Sequence, residues 1–116
     1  MDSVELSSTK AVIQRHLAAI PAGVDAILQD YTDDSVVFTQ QGTFAGPGPI
    51  RAFFEGILSS FPPDLFDVFA VTHLETHGPF AYLVWKAEPY VSMATDTFVV
   101  QNDRIVAQSF TVFSTL

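Results

Sequence analysis

The chain has 116 residues, of which 48% are hydrophobic and 13% aromatic, including 11 Phe. This length and composition exclude a disordered chain and leave room for one core, so we expect residues 1–116 to form a single domain. The formal net charge is −8 and the five Lys and Arg residues are scattered, whereas nucleic-acid binding needs them clustered, so no nucleic-acid partner is expected.

Helical periodicity predicts three helices in the first half of the chain. The first carries apolar residues at Val12, Ile13, Leu17 and Ile20 and stops at Pro21. A short second helix follows Gly23, with helical spacing of Val24, Ile27, Leu28 and Tyr31. The third contains Ile50, Phe53, Phe54, Ile57, Leu58 and Phe61. Between the last two, the pair at 33–34 is interpreted as a helix stop, residues 35–40 as a strand, and the glycines around residue 44 as turns.

From residue 65 onward the pattern changes to strands. The runs 65–76, 80–87, 91–100 and 104–113 are rich in Val, Phe, Thr and Tyr and are separated by turn residues. Helices followed by strands predict an α+β fold, in which the three N-terminal helices pack on one face of a curved, mostly antiparallel sheet and enclose an apolar pocket.

Alternation along the last two strands predicts which residues face the pocket. The even positions include Asp96, Phe98, Gln108 and Phe110, whereas the odd positions are rich in Thr and Ser, so we assign the even set to the helix-facing side. A three-residue loop at 101–103 would put Asp96 opposite Gln108, and this is the predicted register. A two-residue turn at 102–103 would put Ser109 there instead.

Asp96 is the first candidate catalytic residue. A carboxyl group among Phe98, Phe110 and Ala94 would be poorly solvated, which raises its pKa. Its acid form could donate a hydrogen bond to a developing oxyanion, and its carboxylate could take a proton. The alternative is an aspartate with a structural hydrogen bond to Gln108 or to a backbone amide, or one exposed on the strand.

His16 is the second candidate. It lies four residues after Val12 and four before Ile20, so it shares the buried face of the first helix, which could bring its imidazole near Asp96. The alternative is a core histidine without a catalytic role.

Substrate contacts are predicted for side chains expected to line the pocket, with Gln108 also orienting Asp96. These residues are Tyr31, Phe54, Trp85, Phe98, Gln108 and Phe110, although aromatic residues in a small core also serve packing alone. No metal or other cofactor is implied, because the histidines lack ligand spacing and Cys is absent. No apolar run is long enough to span a membrane and the N-terminus lacks a signal-peptide pattern, so we expect a cytoplasmic protein without a membrane partner.

Residues 23–58, and residues 96–110 at the closing hairpin, resemble the SnoaL-like branch of the nuclear transport factor 2-like superfamily. The resemblance implies a cystatin-like cone and a homodimer formed through the outer sheet face, which would also use the surplus of apolar residues. It does not imply one activity, because this fold hosts isomerases, cyclases, dehydratases and non-catalytic binders.

Similarity to ketosteroid isomerase implies roles for three residues. Asp96 falls at the position of its protonated, hydrogen-bond-donating aspartic acid, and His16 at that of its oxyanion-hole tyrosine. Thr39 falls at that of its general base, and Thr cannot act as that base. The similarity therefore argues against the same isomerisation and favours the SnoaL-like polyketide cyclases, which are thought to use an Asp and a His.

The sequence thus predicts a cofactor-free acid/base enzyme of cyclase, isomerase or dehydratase type. Its substrate would be a small, apolar, carbonyl-bearing molecule, with Asp96 and His16 as catalytic residues. The alternative is a non-catalytic protein that binds a hydrophobic metabolite, or a dimeric accessory module.

Overall fold

The computed structural model describes the backbone of residues 2–114 and the side chains of residues 9–113. The helices are α1 (Asp2–Ala19), α2 (Val24–Leu28), α3 (Pro47–Ser60) and α4 (Leu65–Val68), with a 3-10 turn at Ile20–Ala22. The strands are β1 (Tyr31–Thr39), β2 (Gly42–Ala45), β3 (Phe69–His77), β4 (Phe80–Ala87), β5 (Val91–Gln101) and β6 (Arg104–Ser114).

The six strands of the described chain form one open mixed sheet in the order β2-β1-β6-β5-β4-β3. The β1–β6 pair is parallel and the other neighbouring pairs are antiparallel. Helix α1 packs on β4 and β5, and helix α3 packs on β1 and β2. The predicted fold class, α+β with N-terminal helices on a mostly antiparallel sheet, is confirmed.

The helices bury the apolar faces that their spacing predicts. Helix α1 buries Val12, Ile13 and His16 against the sheet. Helix α3 starts with Pro47 and Pro49, which the first helical turn tolerates because its N–H groups have no partner within the helix, and it buries Ile50 and Phe54 one turn apart. Among residues 2–114, no helix is long and apolar enough to cross a membrane.

Three predicted elements differ in the structure. Strand β1 begins at Tyr31 rather than at residue 35, and Asp33 and Asp34 lie within it, where its pairing with β6 is interrupted. Strand β2 occupies residues predicted as turns. Residues 65–68 form a helical turn instead of starting a strand, because backbone hydrogen bonds to Pro62 and Asp64 continue the turn from the preceding segment.

The hairpin between β5 and β6 has neither predicted register. Asn102 and Asp103 form a two-residue turn with φ angles of 51° and 66°, the left-handed conformation that such a turn requires. A bulge beyond the turn then shifts the pairing, so that Asp96 lies opposite Phe110.

The bulge also preserves the predicted inner face. It shifts the register by one further residue, so the even positions of the two strands return to the same side of the sheet. Asp96, Phe98 and Gln108 are all buried there. Near the turn, before the bulge, Ile105 rather than Val106 is the fully buried residue.

Candidate functional site

A cavity of about 150 Å³ lies between helices α1 and α3 and the inner face of the sheet. Its walls are mostly aromatic and aliphatic, and its polar lining residues are His16, Asp96 and Gln108. Pro21 and Phe66 also line it and are exposed, so the cavity opens beside them. The polar lining residues are buried, which places polar chemistry at the closed end of an apolar cavity.

Three adjacent strands assemble this polar end. Asp96 on β5 is only 6% exposed, and both oxygens of its carboxyl group accept a hydrogen bond. The indole Nε1 of Trp85, on β4, donates to Oδ1 at 3.0 Å, and the amide Nε2 of Gln108, on β6, donates to Oδ2 at 2.9 Å. Asp96 is therefore held from both sides by neutral N–H donors.

Tyr31 determines which way the Gln108 amide points. The Tyr31 hydroxyl donates a hydrogen bond to Gln108 Oε1, so the amide nitrogen is turned toward Asp96. Burial, and then the nearby charges of Asp96 and Asp30, raise the pKa of Tyr31 well above its ordinary value, so the hydroxyl keeps its proton. The hydrogen bonds thus run in one direction, from Tyr31 through Gln108 to Asp96.

Burial raises the pKa of Asp96 from its ordinary value of 3.8 to about 7. The hydrogen bonds from Gln108 and Trp85 act in the opposite direction because they stabilise the carboxylate, and no cation contributes to the shift. A carboxyl group with this pKa is present in both forms near neutral pH. It can therefore give or take a proton at low energetic cost.

His16 lies on the same cavity, within an aromatic enclosure. Its ring meets Tyr31, Phe54 and Phe98 edge-on, with centroid distances of 5.8, 6.2 and 5.5 Å. Burial lowers the pKa of His16 to about 4, so the imidazole is neutral at pH 7. The cavity brings His16 and Asp96 together as lining residues, but no hydrogen bond joins these two side chains.

Comparison with known proteins identifies the fold. No family model and no curated protein matches the sequence. A nuclear transport factor 2-like protein of unknown function from Pseudomonas putida is 19% identical, with a TM-score of 0.70 over 100% of this chain and 98% of that one.

Two other solved structures carry functional descriptions. A candidate isomerase of the SnoaL-like family from Agrobacterium tumefaciens is 16% identical, with a TM-score of 0.69 over 92% of this chain and 98% of that one. A candidate polyketide cyclase from Sinorhizobium meliloti is 14% identical, with a TM-score of 0.70 over 86% and 93%. This chain has the nuclear transport factor 2-like fold.

In this nuclear transport factor 2-like fold, most predicted substrate contacts lie on the cavity wall. Phe54, Trp85, Phe98, Gln108 and Phe110 all line it. Tyr31 is not among the lining residues, and its hydroxyl donates to Gln108, because Tyr31 begins strand β1 alongside β6 instead of ending the second helix. Its contact with substrate stays a prediction.

Thr39 is not among the residues that line the cavity. Its hydroxyl donates to the backbone oxygen of Gly42 at 2.9 Å and accepts from the backbone nitrogens of Gln41 and Gly42. It therefore stabilises the turn between β1 and β2.

Sequence reasoning missed Asp30. This acid is 1% exposed and follows helix α2, where an exposed polar residue would be usual. One signal was available in the sequence, because Asp30 lies directly before Tyr31 and apart from the exposed pair at 33–34. No helical or strand periodicity, however, marks Asp30 as buried. No group of three or more metal-binding side chains occurs within the described part of the chain.

Proposed function

We propose that this protein is a cofactor-free acid/base enzyme that moves a proton on a small, apolar, carbonyl-bearing molecule. The observation that carries this proposal is the Asp96 carboxyl group, buried at the closed end of an apolar cavity and held by two neutral donors. A buried carboxyl group without a counter-cation is costly for folding. Such a cost is typical of a functional site.

The geometry supports a division of roles between two groups. In its acid form, Asp96 donates a hydrogen bond to the carbonyl oxygen of the substrate and stabilises the enolate that develops there. The neutral imidazole of His16 takes the proton from the adjacent carbon. Return of that proton from the His16 imidazolium to another carbon of a conjugated enolate gives isomerisation. If the substrate carries a β-hydroxyl group, the enolate instead breaks the Cβ–O bond, and the hydroxyl group takes the proton from His16 and leaves as water, which gives dehydration.

The size of the cavity limits the substrate. Its volume of about 150 Å³ is similar to that of an apolar protein cavity known to hold benzene. We therefore propose a substrate of about one ring, whose hydrocarbon part contacts Phe54, Phe98 and Phe110. Larger groups would extend through the mouth beside Phe66.

Hydrogen–deuterium exchange tests the proposal without knowledge of the natural substrate. Small cyclic and aromatic ketones are incubated in D2O, and loss of the α-proton signal is followed by NMR. We expect the protein to accelerate exchange, and Asp96→Asn to reduce the acceleration about 100-fold or more, the usual contribution of a positioned acid or base. The matched control is Asp25→Asn, at an exposed site paired with Arg51, and it should accelerate the exchange as much as the wild type does.

The pH profile of the same exchange tests the assigned roles. The acid form of Asp96 is lost as pH rises through about 7, and neutral His16 is lost as pH falls through about 4. The rate should therefore be highest between these values. A rate that instead rises through pH 7 would assign Asp96 as the base.

A non-catalytic binding protein is the second candidate function. It is favoured by the observation that both Asp96 oxygens already accept a hydrogen bond and that no bond joins Asp96 to His16. In that case, ketones would shift the NMR resonances of residues that line the cavity, which shows that they bind, but their α-protons would not exchange faster than without the protein.

We also propose that the outer sheet face binds a second copy of the chain. Met93 and Phe113 pair across β5 and β6 on this face, and Phe80 and Tyr82 are exposed on β4. The outward positions of β5 and β6 from 93 to 99 and 107 to 113 carry no charge, although the chain is strongly acidic. Such a face suits a partner with the same uncharged face. Light scattering should give a dimer mass that Phe113→Glu reduces to that of a monomer; a monomeric wild type would refute this.

A further inference from the structure

His16 and Asp30 face each other across a buried gap. His16 Nδ1 and Asp30 Oδ2 are the buried side-chain polar atoms without a hydrogen-bond partner among residues 9–113. They lie 3.9 Å apart, and their residues are 3% and 1% exposed. Buried polar atoms are nearly always paired, so two unpaired atoms facing each other suggest a common role.

The other atoms of Asp30 are already committed. Its Oδ1 accepts a hydrogen bond from Arg15 Nε at 2.6 Å, and its backbone oxygen accepts one from Ile105 N at 2.7 Å. Arg15 is held in turn by Asp103, whose backbone oxygen accepts from Nη2 at 2.9 Å. The carboxylate of Asp30 is thus fixed with Oδ2 directed at His16.

We infer that Asp30 is a positioning residue that accepts the Nδ1–H of His16 and so leaves Nε2 unprotonated. The inference rests on the proposed function and names the proton acceptor in the cavity as Nε2 of His16. A separation of about 3 Å would make the hydrogen bond, so a rotation of the His16 ring that shortens the 3.9 Å gap by about 1 Å would form it. The hydrogen bond made by one ring nitrogen decides which tautomer a neutral imidazole adopts.

This tautomer separates the roles of the two buried acids. Asp30 holds a base in the form that can accept a proton, whereas Asp96 supplies a proton donor. The opposite tautomer would put the proton on Nε2. His16 would then have no lone pair for a substrate proton in the cavity, because its other ring nitrogen, Nδ1, faces Asp30.

Two-bond 1H–15N NMR at pH 7 reads the tautomer directly. In the wild type, His16 should show a protonated Nδ1 and a pyridine-like Nε2 shift. His73→Gln and His77→Gln remove the signals of the other two histidines and so complete the assignment. A wild-type His16 with the proton on Nε2 would overturn the inference, and this measurement needs no variant at position 30.

Asp30→Asn gives a sharper result. Because Arg15 Nε donates to the Oδ1 position, the amide oxygen must occupy that position and the NH2 group must occupy the Oδ2 position. That NH2 group donates to Nδ1, so the proton of His16 should move to Nε2. Asp103→Asn, which alters the other partner of Arg15 without contacting His16, is the matched control and should leave the tautomer unchanged. A tautomer that stays the same in folded Asp30→Asn would also contradict the inference.

The two proposals can fail separately. A protonated Nδ1 without any ketone exchange would leave the His16–Asp30 pair intact and remove the enzymatic function. Accelerated exchange with the proton on Nε2 would retain the function and remove Asp30 from it.

Discussion

Asp30 and Asp96 are both buried acids, but their neighbours differ in charge. Asp30 lies against the Arg15 guanidinium, with Oδ1 and Nε 2.6 Å apart. Asp96 meets only the neutral N–H groups of Trp85 and Gln108, and burial raises its pKa to about 7. A cation offsets the cost of burying a carboxylate, and neutral donors offset only part of it. The two acids are therefore buried to a similar extent but differ in the charge of the groups that hold them.

The largest effect predicted from this comparison is on the pH dependence of stability. The pKa of Asp96 is raised from 3.8 to about 7 on folding, so the folded state binds more protons than the unfolded state between these values. Its contribution to stability is present below pH 4 and is lost as pH rises through 7, by about 4 kcal/mol at 1.4 kcal/mol per pKa unit.

Asp96→Asn removes this contribution, because the amide does not titrate. Urea unfolding of both proteins from pH 4 to 8 measures it, and the difference between their free energies of unfolding should change by about 4 kcal/mol. Parallel curves for the two proteins would show that the pKa of Asp96 is not raised.

A smaller effect is predicted at the second acid. Arg15→Met leaves Asp30 buried without its cation, and we expect a loss of about 3 kcal/mol at pH 7, the low end for breaking a buried pair, because Arg15 itself is half-exposed. Asp103→Asn removes only the exposed negative charge beside Arg15 and keeps the backbone hydrogen bond, so it should cost less than about 1 kcal/mol. Equal losses in the free energy of unfolding for Arg15→Met and Asp103→Asn would show that the Arg15 guanidinium does not offset the cost of burying the Asp30 carboxylate.

The inner face of the sheet was predictable, but the register was not. Alternation of apolar and polar residues along each strand predicts Asp96, Phe98 and Gln108 on one face, and the structure buries all three. The pairing itself depends on a two-residue turn and a bulge. The alternation does not reveal them, because together they shift the predicted register by two residues and leave the side chains beyond the bulge on their predicted faces. Gln108 consequently reaches Asp96 diagonally rather than from directly opposite.

His16 shows where the sequence stops being informative about the site. Helical spacing places this residue on the buried face of α1, and the structure confirms it. Its nearest acid, however, is Asp30 rather than Asp96. No spacing predicts that contact, since it depends on how α1 packs across the segment between α2 and β1.

By itself the sequence determined the classes of most elements and which of their faces are apolar, because helix and strand periods are local properties of the chain. It also determined that Asp96 would be poorly solvated, since its neighbours on the same face are apolar. The tertiary structure alone decided which donors hold Asp96, that Tyr31 orients Gln108, and that Asp30 is buried beside a cation. Those contacts join residues from 11 to 77 positions apart, and only packing brings such residues together.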